Sequence, residues 1–153
     1  RRLKSSERIH GDLPFVTAGE IEMGISDYIG NDVHVFSGNT VTIDMFGSAK
    51  YRNMKYGADD HVAVVHTELL SEFAALYLTA AIHKISHSGK FDYSRNFYAS
   101  DADELCIELP ILPDGSPDYG YMNLVIMGVK KVVVKNVVDY YGVMTNKTIA
   151  LLN

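Results

Sequence analysis

Four of the six histidines fall into two pairs whose spacing could support metal or acid–base chemistry. His83 and His87 are four residues apart in a segment with helical periodicity, so they share one face of the predicted helix. A catalytic zinc helix needs a glutamate directly after its first histidine, and Lys84 stands there instead. His61 and His66 are five residues apart in a strand-like segment, which places them on opposite faces. These spacings predict neither a metal site nor a cofactor.

Motifs for nucleophilic or phosphate chemistry are also missing from the sequence. It contains no Gly-x-Ser-x-Gly elbow, no Gly-x-x-x-x-Gly-Lys-Ser/Thr loop and no Gly-x-Gly-x-x-Gly turn. Residues 101–118 hold six acids, but no Glu-x-Lys follows them as in metal-dependent nucleases. We therefore predict no catalytic residue. A small metal-dependent or hydrolytic enzyme that uses the histidines remains an alternative.

A third set of residues has the chemistry to contact DNA. Arginine, lysine, asparagine and tyrosine side chains commonly bind phosphates and base edges. One group lies on or after a predicted hairpin and another in the loop after a predicted helix, and we predict that both face DNA: Lys50, Arg52, Lys55, Tyr56, Lys90, Tyr93, Arg95 and Asn96. Arg95 and Asn96 suit guanine and adenine edges, whereas the lysines suit phosphates. The alternative for each residue is an ordinary solvated side chain.

Length and composition indicate one globular domain that must position these residues. The chain has 153 residues, of which 47% are hydrophobic and 22% charged. Folding at this size buries enough surface for a core without disulfides, and Cys106 has no second cysteine to pair with. The net charge of −5 argues against a uniformly basic surface. DNA binding is compatible with it if the acidic segment 101–118 lies behind a basic face.

The sequence also bears on the compartment and on the extent of the chain. No run of about 18 apolar residues suggests a membrane span, and no signal peptide is visible. We expect a cytoplasmic location without membrane association. The chain begins Arg1-Arg2 without a methionine, and we interpret it as part of a longer protein.

Periodicity and turn residues predict an α+β fold in one compact, loop-rich domain. Apolar or alternating segments predict strands at 13–17, 33–36, 41–46, 49–54, 61–66 and 105–109. Period-3.6 apolar spacing predicts a helix over 71–87 capped by Ser71, and Ser116-Pro117-Asp118 predicts the start of another. The glycine-rich segment 18–30 and the polar segment 90–98 are predicted loops. Residues 129–141 suit either a helix or a strand, and we favour a helix.

Six segments resemble, in order, the motifs of target recognition domains in restriction–modification specificity proteins. The segments resemble those of type I specificity subunits and of the specificity regions of bifunctional restriction–methylation enzymes. Ser94 stands where the family's Tyr-Gly-Arg loop usually has glycine. The segments are Phe15–Gly19 with Gly24–Ile29, Asn39–Ala49, Tyr56–Val62, Lys90–Phe97, Ile107–Pro110 and Gly115–Met122.

This resemblance implies a mixed α/β domain that grips double-stranded DNA and recognises half of a split target. Adenine methylation and cleavage would then reside in methyltransferase and nuclease partners, not in this chain. We expect a basic arm or linker at 1–12, the recognition domain at 13–128 and an apolar segment at 129–153. That last segment is expected to pack on the domain and point toward the methyltransferase. A protein–protein docking module built on Val129–Tyr141 remains a further alternative.

Overall fold

A computed structural model describes the backbone of residues 2–152 and the side chains of residues 2–144. Within this part, six strands and three α-helices confirm the α+β fold class. The strands are His10–Val16 (β1), Ile25–Ile29 (β2), Thr40–Asp44 (β3), Ala49–Arg52 (β4), Gly57–Ala58 (β5) and Val62–Val65 (β6). The helices are Glu72–Ser86 (α1), Ala99–Asp103 (α2) and Tyr119–Leu152 (α3).

The strands form two small sheets of three strands each. In the first sheet, β1 is central, antiparallel to β2 and parallel to β5. In the second, β3 is central and antiparallel to both β4 and β6. The predicted hairpin is thus confirmed as β3–β4, and the predicted third strand pairs on the other side of β3.

Strand β3 is buried on both faces, although its alternating sequence predicts a half-buried strand. Val41 and Ile43 face a core shared with Ile82 of α1 and with Phe97. The polar residues Thr40, Thr42 and Asp44 lie on the opposite face, because successive residues of a strand alternate in direction, and they too are buried. Polar side chains from other parts of the domain, and not water, cover this polar face of β3.

Helix α1 agrees closely with its prediction. The Ser71 hydroxyl accepts a hydrogen bond from the Ala74 N–H at 3.2 Å, as an N-cap residue does. The helix packs its buried Ala74, Ala75 and Ile82 against the second sheet and the start of α3. Helix α1 therefore fixes the position of the β3–β4 hairpin relative to the loop that follows the helix.

Five local features differ from the predictions. The segment 18–30 contains strand β2 after its glycine-rich loop, and α2 was not predicted. Residues 33–36 contribute only one bridge, between Phe36 and Tyr56. Residues 105–109 form no strand, because Leu105 and Ile107 pack on the core cluster without a pairing partner. The first strand begins at His10, three residues before its predicted start.

Helix α3 joins the second predicted helix and the ambiguous segment 129–141 into one element of 34 residues, which confirms the helical interpretation. Asp118, not Ser116, caps its start by accepting a hydrogen bond from the Tyr121 N–H at 2.8 Å. Its first turns bury Met122 and pack on α1. From Gly128 to Met144 every residue is exposed, so this part of α3 projects from the domain.

In the described part of the chain, no helix combines the length and the apolarity that crossing a membrane requires.

Candidate nucleic-acid interface

Three of the eight predicted DNA contacts are buried and serve the fold. Lys50 and Arg52 are each 6% exposed, and Tyr56 is 1% exposed. Lys50 and Arg52 lie opposite Thr42 and Thr40 in the hairpin register, on the buried polar face of β3. The domain therefore packs these three side chains inside the fold and does not present them to a phosphate or a base edge.

The partners of the buried residues explain their burial. Arg52 Nε donates to Thr42 Oγ1 at 2.9 Å, and the Tyr56 hydroxyl is hydrogen-bonded to Thr40 Oγ1 at 2.9 Å. Lys50 Nζ donates to Asp44 Oδ2 at 3.3 Å and to Ser48 Oγ at 2.8 Å. Burial lowers the pKa of the Arg52 guanidinium and raises that of the Tyr56 hydroxyl. Buried polar groups with such partners contribute to stability.

The remaining hairpin residue, Lys55, is exposed but lies away from the second group. It follows the end of β4 at which Arg52 pairs with Thr40. The loop 90–97 is attached instead to the turn of the hairpin, through a hydrogen bond from Phe97 N–H to Met45 O at 2.9 Å. The structure therefore does not form the single surface predicted from both groups.

The loop 90–97, which we call the recognition loop, is held firmly at its base. Phe97 is 3% exposed and belongs to the core, and its ring meets the Phe91 ring edge-on with centroids 4.9 Å apart. Between these anchors, Asp92 Oδ1 accepts hydrogen bonds from Ser94 N–H at 2.7 Å and Arg95 N–H at 3.0 Å. The pKa of the Asp92 carboxyl group is lowered most by a hydrogen bond from the Ser94 hydroxyl and further by these two backbone hydrogen bonds.

Ser94 fits this loop, although the resemblance in sequence predicts glycine at this position. Its φ is not positive, so the backbone does not require glycine. Its hydroxyl adds a hydrogen bond of 2.6 Å to Asp92 Oδ1. The substitution therefore supplies a contact that glycine lacks.

Arg95 and Tyr93 project from the recognition loop. Tyr93 is 87% exposed, and its ring rests edge-on against Phe46 of the hairpin turn. The Arg95 guanidinium lies over the Phe91 ring, 5.2 Å from its centroid, and forms an ion pair with Asp101. Asp101 also accepts a hydrogen bond from the Tyr98 N–H at 2.8 Å at the start of α2. The hydrogen bond to Arg95 lowers the pKa of Asp101 and raises that of Arg95.

Asn96 lines a cleft of about 420 Å³ beside Tyr93, between the recognition loop and the end of β1. Among the described residues, none donates a hydrogen bond to Asn96 Oδ1, although this atom is shielded from solvent. An unpaired buried acceptor destabilises the folded domain. Lys90, at the start of the loop, is exposed.

Sequence reasoning missed the residues that support this loop. The pattern Asp92-x-Ser94 is typical of a turn in which an aspartate side chain bonds the backbone two residues on, and it could have identified Asp92. Phe46 carries no such signal, since its partner Tyr93 is distant in sequence, and Asp101 acts on Arg95, six residues before it. Asp101 also shows that the acidic segment does not lie wholly behind the basic residues.

The histidine pairs show other roles than metal binding. His83 Nδ1 accepts a hydrogen bond from Ala49 N–H at 3.1 Å, and His87 Nδ1 donates to Phe46 O at 3.2 Å. These bonds tie the end of α1 to the hairpin. Asp59, Asp60 and His61 have potential ligand atoms within 4.8 Å of one another. Asp60 and His61 pair with each other at 3.0 Å, and Asp59 accepts the Leu3 N–H at 3.3 Å.

Comparisons with known proteins agree with this interpretation. Residues 1–123 match the family model of the type I restriction modification DNA specificity domain. The chain is also 26% identical over 136 residues to the type II restriction enzyme BgcI specificity subunit S.BcgI of Heyndrickxia coagulans, which covers 87% of this chain. The chain spans 40% of the length of that relative. No solved structure matches the chain.

The family model covers most of the chain, and the segments that carry the resemblance form the hairpin, the recognition loop and the start of α3. The comparisons favour DNA recognition over a metal-dependent or hydrolytic enzyme. The chain belongs to the type I restriction–modification DNA specificity domain family and is a DNA sequence-recognition module of a restriction–modification system.

Proposed function

We propose that the domain recognises half of a split target in double-stranded DNA through the recognition loop, residues 90–97. The observation that carries this proposal is the contrast between its base and its tip. Phe91 and Phe97 fix the loop to the core, whereas Tyr93 and Arg95 stand exposed. A rigid loop with exposed planar donors suits a major groove about 12 Å wide, where base edges present distinct donor and acceptor patterns.

Arg95 is the proposed guanine contact. Its guanidinium donates three hydrogen bonds in the free domain, two to Asp101 and one to Asn96 O. An arginine side chain has five N–H donors, so two remain for a base edge. Asp101 and Phe91 hold the guanidinium in place before DNA arrives, which reduces the entropy lost on binding.

Asn96 and Tyr93 are proposed to act beside Arg95. Asn96 is half-buried in the cleft beside Tyr93, and an asparagine amide commonly pairs with an adenine edge. Lys90 is proposed to contact a phosphate, which sets register without distinguishing sequences. A contact between Lys55 and DNA would be separate from the contacts of the recognition loop, since Lys55 lies at the other end of the hairpin.

Partners are proposed to supply the chemistry. We propose that methyltransferase and nuclease subunits or domains act at the site that this module recognises, and that the module itself is not an enzyme. The similar protein of Heyndrickxia coagulans is named as the specificity subunit of a type II restriction enzyme. The exposed part of α3 is the proposed attachment surface, because apolar side chains cover most of its circumference.

Two loop variants test this function. Arg95→Ala should weaken binding to the preferred duplex by about 1–3 kcal/mol and relax one base position. Lys90→Ala should weaken binding to all duplexes alike and reduce the salt dependence by about one unit of the log–log slope. Fluorescence anisotropy of labelled duplexes across a salt series measures both effects.

The matched control is Lys135→Ala, which removes an exposed lysine from α3, where it pairs with Asp139 far from the loop. Its affinity for DNA should equal that of the unmodified protein. Equal binding by the Arg95→Ala variant and the unmodified protein would contradict the assignment of Arg95. A salt-independent affinity would contradict DNA binding through phosphates altogether.

A further inference from the structure

A second loop, Gly19–Gly24, meets the hairpin turn at the same end of the domain as the recognition loop. Asp44 joins them: its Oδ1 accepts from the turn residues Phe46 and Ser48, and its Oδ2 accepts from Gly19 N–H at 3.2 Å. Phe46 of the hairpin turn also contacts Tyr93 of the recognition loop. Ala18, directly before the second loop, lines the same cleft as Tyr93 and Asn96.

The second loop is fastened by the buried cations that sequence analysis placed on the DNA surface. Lys50 Nζ donates to Glu20 Oε1 at 3.2 Å while it also bonds Asp44 and Ser48. Hydrogen bonding to Ser48, and then to Lys50, lowers the pKa of Glu20. Arg52 Nη1 donates to Met23 O at 2.8 Å. These contacts lie on both sides of Ile21, so they fix the loop on either side of it.

The backbone of the second loop is unusual. Glu22 and Met23 both adopt left-handed conformations, with φ of 48° and 57°, and Gly24 continues the run with φ of 78°. Residues with side chains rarely adopt this conformation, and they persist in it where surrounding contacts enforce it. Such enforced conformations cluster at functional sites.

The result is an aliphatic side chain presented to solvent on a fixed loop. Ile21 is 85% exposed, whereas Met23 lies over a separate cleft lined by Tyr28, Tyr51 and Met54. An isoleucine offers no hydrogen bond, so its contribution to base recognition is apolar contact. The apolar feature of a base pair in the major groove is the thymine C5-methyl group.

We propose that the Gly19–Gly24 loop is a second sequence-recognition element in which Ile21 contacts a thymine methyl group. This inference rests on the proposed function and adds a residue and a base type to it. Lys50 and Arg52 act in it by holding the loop, without touching DNA.

Replacement of thymine by uracil tests the proposed contact directly, since uracil differs from thymine only in lacking the C5-methyl group. The duplex is the half-site that the protein prefers, with its thymines replaced one at a time. At one thymine, the replacement should weaken binding by the unmodified protein about fourfold, the effect of one buried methyl group. Ile21→Ala should weaken binding to the thymine duplex by at least this factor and bind the thymine and uracil duplexes equally. Ile21→Val should keep most of the preference for thymine.

Leu69→Ala is the matched control. Leu69 is a fully exposed aliphatic residue in a segment bonded to Asn39, at the opposite end of the hairpin. Its removal should leave both affinities unchanged. Thermal denaturation of each variant should match that of the unmodified protein, because both side chains are exposed.

Three results would overturn the inference while the proposed function stands. The Ile21→Ala variant could keep the full thymine preference, it could weaken all duplexes alike, or the preferred half-site could contain no thymine whose methyl matters. If the unmodified protein shows no sequence preference at all, the proposed function fails first and this inference with it.

Discussion

At the residue scale, the same residue types serve opposite purposes in this domain, and position within the hairpin decides which. Lys50 and Arg52 look like DNA contacts in sequence, yet both lie on the polar face of β3 and β4, where Thr42 and Asp44 pair with them. Arg95 has the same chemistry but lies in a projecting loop. Sequence alone could not distinguish them, because a two-residue strand period states which face a residue takes but not what covers that face.

One glycine at the hairpin turn is a sharp test of how α1 and the hairpin fit together. Gly47 has φ of 79°, and a Cβ atom there would lie 2.2 Å from the Ser86 carbonyl oxygen. Ser86 is fully buried, and its hydroxyl donates to Gly47 O at 2.6 Å. Gly47→Ala should therefore lower the free energy of unfolding by about 2–4 kcal/mol, from backbone strain and overpacking together.

Gly89→Ala separates these two causes. Gly89 has φ of 77°, but nothing lies within 4 Å of a Cβ atom placed there. This variant should lose only the strain component, about 1–2 kcal/mol. Denaturant unfolding of both variants measures the difference. Equal losses would show that the close approach of α1 to the turn is not rigid.

At the element scale, the segments with strong local signals are the ones that sequence predicts. The hairpin, β6 and α1 have clear periodicity, turn residues or a capping serine, and each is found where expected. The segments 18–30 and 105–109 depend on distant partners. Ile25–Ile29 becomes a strand because it pairs with β1, whereas Leu105–Leu109 packs on the core cluster without joining either sheet. Such pairings cannot be derived from a single sequence.

The sequence predicts that residues 90–97 form a loop, but it does not predict the conformation of that loop. Its composition identifies Tyr93, Arg95 and Asn96, whereas its shape depends on Asp101, on Phe46 and on the core position of Phe97. The second loop was missed because Ile21 lies between two glutamates in a glycine-rich stretch, which resembles an ordinary turn.

Helix α3 makes the clearest prediction about partners. Val132, Val133 and Val138 are more than half exposed on its projecting part, opposite or beside a polar stripe that contains Lys131, Lys135 and Asp139. Val133→Asp should reduce affinity for the proposed methyltransferase partner on the order of tenfold or more, since it would place a charge in the proposed apolar contact. It should leave the thermal stability of the domain unchanged.

Lys131→Asp introduces the same carboxylate on the polar stripe and serves as its control. Copurification and isothermal titration with the methyltransferase compare the two variants. If both variants bind the partner as the unmodified protein does, the exposed valines are not the attachment surface.

At the scale of the whole molecule, the two loops that we propose to contact DNA both meet the hairpin turn. The hairpin turn is hydrogen-bonded to the recognition loop and to Ser86 of α1, and Asp44 beside the turn is hydrogen-bonded to the Gly19–Gly24 loop. The net charge of −5 provides little general attraction to DNA. We therefore expect specificity to come from a few positioned side chains, and affinity to depend on partners and on low salt.

Selection of bound duplexes from a randomised pool by the unmodified protein, followed by sequencing, tests most directly whether this domain recognises DNA sequence. We expect enrichment of one short contiguous half-site, with at least one guanine position whose enrichment disappears for Arg95→Ala. The same positions should stay enriched for Lys90→Ala, at lower overall recovery. A bound pool with the base composition of the input at low salt would contradict the claim that this domain recognises DNA sequence.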